Sequence, residues 1–120
     1  MSFNWKKFLE VGNHLENYSQ EESYQRSAVG RYYYSCYHSA KDYFEKEHFP
    51  LGHRNSPHQT LIDCLRLGYN KNEVDLAEAL SKLRRYRNKA DYYQDFRSNI
   101  LKKAKKTTED IYVLLSDLEN

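Results

Sequence analysis

The chain is short of backbone breakers: its 120 residues hold two prolines and four glycines. Proline removes an amide donor and clashes with the preceding turn, and glycine costs about 1 kcal/mol inside a helix, so long helices are the natural outcome. The breakers fall between stretches whose apolar residues recur at helical spacing. Trp5, Phe8, Leu9 and Leu15 predict a first helix over about 4–18, which Gly12 weakens without ending. Ser19-Gln20-Glu21-Glu22 has the form of a capping box and opens a second helix reaching about His48. Pro50 and Gly52 interrupt it, and Ser56-Pro57-His58-Gln59 restarts the pattern with Ser at the cap and Pro at the first helical position. A short third helix then carries Leu61, Ile62, Leu65 and Leu67 until Gly68 and Asn70 end it. A fourth helix over about 72–92 follows, and a fifth over about 96–118 turns Ile100, Leu101, Ala104, Ile111, Leu114, Leu115 and Leu118 inward. The expectation is one all-α domain over residues 1–120, an antiparallel up-and-down bundle of four long helices plus one short helix.

Twelve tyrosines and five phenylalanines place much of the apolar area in rings, so the core should be aromatic and partly polar. Ala28, Tyr32, Ser35, Cys36, Ser39, Ala40 and Tyr43 form one stripe whose small members admit a neighbouring helix. Cys36 and Cys64 belong to no redox or metal pattern and are read as reduced, buried thiols. No apolar run approaches the roughly 20 residues that span a bilayer, and the N-terminus lacks the features of a signal peptide, so no membrane partner is expected and the chain is read as cytoplasmic. No His or Cys spacing suits a metal and no glycine-rich phosphate loop is present; neither metal nor cofactor is expected. A net charge of +2 does not argue for a nucleic-acid ligand by itself. Two local clusters stand out: Arg84, Arg85, Arg87 and Lys89, then Lys102, Lys103, Lys105 and Lys106.

On the fourth helix Leu76, Leu80 and Leu83 advance by four and three, and the same steps lead to Arg87 and Ala90. The core line therefore runs into a guanidinium that cannot shed its charge, and Asp91, one turn on, is the nearest anion in sequence. Two motifs now stand together: Arg31-Tyr32-Tyr33-Tyr34-Ser35-Cys36-Tyr37-His38-Ser39-Ala40 and Arg87-Asn88-Lys89-Ala90-Asp91-Tyr92. The first resembles the Arg-x-Tyr-Tyr-x-x-(Phe/Tyr)-His-x-Ala signature of HEPN domains, and the second resembles that family's other motif, in the expected order.

The resemblance implies a helical bundle that forms a homodimer around a shared cleft. It also implies RNA or a nucleotide as ligand, a defence or toxin–antitoxin setting and a nucleotidyltransferase-like partner protein. Arg31, Tyr34, Arg84, Arg87, Asn88 and Asp91 are the candidate ligand-binding residues. The family's ribonuclease members follow the arginine with a histidine, used in metal-independent cleavage by the adjacent 2′-hydroxyl. Here Asp91, Tyr92, Tyr93 and Gln94 fill those positions, and no histidine follows His58. An active enzyme would need a rearranged site, with Arg87, Tyr92 and His38 as its candidates; His38 lies two turns from Arg31 on one helical face. The alternatives are a binding protein without catalysis and a module that only dimerises or docks. His53, Arg54 and His58 near the third helix read as merely polar.

Overall fold

The computed structural model describes residues 3–53, 55–68 and 70–120. Arg54 therefore lies outside the described residues. Five helices follow one another: α1 (Lys7–Tyr18), α2 (Glu22–Glu47), α3 (Pro57–Arg66), α4 (Lys71–Tyr92) and α5 (Ser98–Glu119). Helix α2 is the hub and packs against each of the others, while α4 also packs against α3 and α5. The start of α2 meets the end of α4 through Arg26, and its end meets the start of α4 through Tyr43 and Glu73. These two helices are thus antiparallel, as the up-and-down order requires. Among the described residues no helix is long and apolar enough to cross a membrane.

The helix starts differ in detail from the sequence expectation. Ser19 accepts a hydrogen bond from the Glu21 amide at 3.1 Å, but the helix begins only at Glu22, so the capping box is not made. Ser56 stands at the cap of α3 without a side-chain bond, and Gln59 turns to Asp63 at 2.8 Å instead. Asn70, expected only to end α3, caps α4 by accepting from the Asn72 amide at 2.8 Å. A carboxamide two residues ahead is enough to satisfy an end amide, whichever helix the sequence assigns it to.

The stripe on α2 is inside: Ala28, Tyr32, Ser35, Cys36, Ala40 and Tyr43 are buried, and Ser39 is half-buried. Leu61, Ile62, Leu65, Leu76, Leu80, Leu83, Ile111 and Leu115 close the core around it. Leu67 is a correction, since at 81% exposure it lies outside the core it was expected to join. It follows the last turn of α3, where the helical line that aims Leu61 and Leu65 inward has ended. The phenol hydroxyls find partners: Tyr112 bonds with Ser35 and Ser39, and Tyr32 donates to Asn13 at 2.8 Å. The Tyr32 ring lies against Gly12, where an added Cβ would come within 2.6 Å of it, so the glycine sets how closely α1 approaches α2. Burial pushes the Cys36 thiol up to about 12, which makes it inert at neutral pH. Cys64 is half-buried rather than buried.

Arg26 closes the far end of α4. Its guanidinium donates to the carbonyls of Ala90 (2.8 Å), Tyr93 (2.7 Å) and Gln94 (2.9 Å), pairs with Glu22 and lies over the Phe96 ring. The last carbonyls of a helix have no partner within it, and a cation beside them satisfies both their hydrogen bonding and the negative end of the helix dipole.

Candidate nucleic-acid interface

The core line of α4 places Arg87 at the α2–α4 seam, with its side chain 19% exposed. Its Nε lies 2.9 Å from Asp91 Oδ2, as the one-turn spacing predicts, but out of line for a hydrogen bond, so the contact is an ion pair. Nη2 donates to the Tyr34 hydroxyl at 3.3 Å. The guanidinium carbon lies 5.8 Å from the Tyr33 ring centre and 5.6 Å from that of Tyr34. A carboxylate, a phenol and two rings thus fix the guanidinium, while Nη1 receives no partner among the described residues.

His58, at the second position of α3, completes this cluster, and its sequence context gave no sign of it. Its Nδ1 lies 2.6 Å from the Tyr33 hydroxyl, and its ring centre lies 4.1 Å from that of Tyr37 at a tilt of 31°. Burial first, then the Arg84 and Arg87 charges, lower its pKa to about 4, so the imidazole is neutral at pH 7. Burial raises the Tyr33 phenol above its ordinary range, so it stays protonated, and which of the two groups donates in this contact follows the His58 tautomer.

His38 stacks on Trp5 with ring centres 3.8 Å apart, and Tyr34 separates it from Arg87. Burial and Lys41 lower its pKa, so it too is neutral. Two hollows flank Tyr34. One, of about 320 Å³, includes His38, Lys41, His53 and His58 in its walls; the other, of about 200 Å³, is bounded by Ser27, Gly30, Arg31 and Asp91. The His53 and His58 pair that read as merely polar therefore shares a cavity with the first motif.

Arg31 is exposed over the Phe8 ring, and Arg84 donates to Gln59 at 3.0 Å beside His58. Asn88 is half-buried and makes no side-chain hydrogen bond among the described residues. Tyr92 is 72% exposed at the end of α4. Among the described residues no three His, Cys, Asp or Glu side chains come together in a way that could hold a metal ion.

No family model matches the chain, and no solved structure matches it. It is similar to the uncharacterized protein MJ0992 of Methanocaldococcus jannaschii, with 31% identity over 110 residues, covering 78% of this chain and 62% of that protein. The chain thus spans less than two thirds of the length of the relative it matches.

Proposed function

We propose that the face built by α2, the start of α3 and the second half of α4 binds single-stranded RNA or a nucleotide, with Arg87 as its main phosphate contact. The observation that carries this reading is the fixed guanidinium: Asp91 and Tyr34 hold two of its nitrogens while Nη1 has no partner among the described residues. A guanidinium already oriented loses little freedom when it meets a phosphate. The half-buried rings of Trp5, Tyr34 and His38 on the same side of the bundle offer surfaces on which bases can stack, worth about 1–3 kcal/mol per base.

Binding is favoured over cleavage. Tyr92, the candidate at the motif position, lies on the outer surface of α4, and His38 stacks on Trp5 with Tyr34 between it and Arg87. The homodimer, the nucleotidyltransferase-like partner and the defence or toxin–antitoxin setting belong to the same proposal through the HEPN resemblance. The aromatic stripe of α2 is covered within one subunit and offers no seam for a second copy, so pairing rests on the resemblance.

The test is fluorescence anisotropy of a labelled oligouridylate across a salt series. Arg87→Ala and Arg87→Lys should each lose about tenfold or more in affinity while folding normally, because an ammonium cannot reproduce the fork. A Lys102, Lys103, Lys105 and Lys106→Ala variant should mainly flatten the salt dependence. That effect will be modest, since Lys105 and Lys106 already pair with Glu16 and Asp110. Equal binding by wild type and Arg87→Ala would overturn the proposal.

A further inference from the structure

The far end of α2 carries a separate cavity, of about 630 Å³, between the end of that helix, the junction of α3 with α4 and the end of α5. Its volume lies in the range of small-molecule sites, and Phe44, Phe49, Leu67 and Leu118 give it apolar walls. Glu73 also lines it, with a side chain only 5% exposed. The Tyr43 hydroxyl donates to Glu73 Oε2 at 2.6 Å, and His48 Nε2 lies 2.7 Å from the same oxygen.

Oε1 differs: no described residue donates to it. A methyl group at Gly68 would come within 2.6 Å of Oε1, so the glycine leaves room for the carboxylate where it stands. A carboxylate at the third position of a helix is favoured by the helix dipole, which explains why an acid occurs there. That preference does not explain why one oxygen is left without a donor beside an apolar hollow. The charged residues lining this cavity are Glu47 and Glu73, with no Lys or Arg among those described.

We propose that this cavity binds a small organic cation, an alkyl- or arylalkylammonium, whose N–H groups donate to Glu73 Oε1 while its body lies against Phe44 and Phe49. Ammonium groups are also attracted to aromatic faces, which adds to the match. A phosphate or carboxylate ligand would meet two carboxylates here and no Lys or Arg, and the one imidazole in the lining, His48, is already turned to Glu73 Oε2. The site is therefore independent of the Arg87 face.

The test is a two-dimensional NMR titration of the whole chain with phenethylammonium, with phenylethanol as neutral isostere and phenylpropionate as anion. Saturable shifts at Phe49, Gly68 and Leu118 are expected for the ammonium, with affinity about tenfold or more above that of the alcohol and none for the anion. Leu67→Lys adds a positive charge at an exposed rim position and should weaken the ammonium by about tenfold while leaving the fold intact. Glu73→Gln, where it folds, should erase the preference for charge, and Arg87→Ala should change nothing. Equal binding of ammonium and alcohol, no saturable shift at millimolar ligand, or indifference to Leu67→Lys would each overturn the proposal; the last two results would leave a partner's basic side chain as the occupant to seek.

Discussion

At one end of the α2–α4 seam a cation on α4, Arg87, is held by a tyrosine of α2 and a carboxylate; at the other an anion on α4, Glu73, is held by a tyrosine of α2 and an imidazole. Tyr34 and Tyr43 stand nine residues apart, about 14 Å along the helix axis, so one helix presents the same phenol to charges of opposite sign. What separates the two ends is depth. The Arg87 side chain and its Asp91 partner are 19% and 36% exposed, whereas Glu73 is 5% exposed. Water can replace what Arg87 loses, but it cannot readily replace what Tyr43 loses. The same contact therefore acts on stability at the deep end and is available for binding at the shallow one.

The largest test of that contrast is a pair of truncations read by urea unfolding. Glu73→Ala should cost about 3 kcal/mol because it strands the Tyr43 hydroxyl in the core, while Arg87→Ala should cost less than about 1 kcal/mol. Comparable losses would break the comparison. Arg26→Ala should follow at about 2 kcal/mol, since the carbonyls at the end of α4 lose their shared donor, with Arg26→Lys recovering only part. Gly68→Ala comes next, at about 1–2 kcal/mol, because the new methyl group presses on a carboxylate already fixed by Tyr43 and His48.

The shallow end should respond to acid. His58 titrates near 4 when folded, below its ordinary 6.5, so the unfolded chain binds more protons between those values. Its contribution is present above pH 6.5 and is lost as pH falls towards 4. Allowing for solvent screening of a half-buried ring, the loss is about 1 kcal/mol. His58→Asn should flatten stability over that window, and an unchanged profile would remove the assignment of a neutral imidazole. The smallest effect is expected at Gly30, where an added Cβ meets nothing, so Gly30→Ala should stabilise α2 by about 0.5–1 kcal/mol in the same unfolding measurement.

Helix count, helix order and the α2 stripe were legible because apolar spacing and the positions of Pro50, Gly52 and Pro57 are local signals. The Arg87–Asp91 pair was legible for the same reason, being one turn long. Three other groups were not. Arg26 reaches carbonyls more than sixty residues away, His58 meets Tyr33 only once α3 folds back, and Glu73 looks like any acid in a first helical turn until Tyr43 arrives. Each acquires its role from a distant partner, and no spacing within its own helix encodes that. Leu67 shows the converse error, in which a hydrophobic residue just past a helix end was assigned to a face that had already stopped.

Arg26 also couples two segments in time. The carbonyls it holds belong to residues 89, 90, 93 and 94, so the turn after α4 stays closed only while the first turns of α2 are docked. Fraying at the start of α2 would release the end of α4, and Asp91 with it, as one cooperative opening. Amide hydrogen exchange should therefore show residues 22–30 and 90–96 opening with a common free energy. In Arg26→Ala the two segments should exchange independently, the second faster than the first.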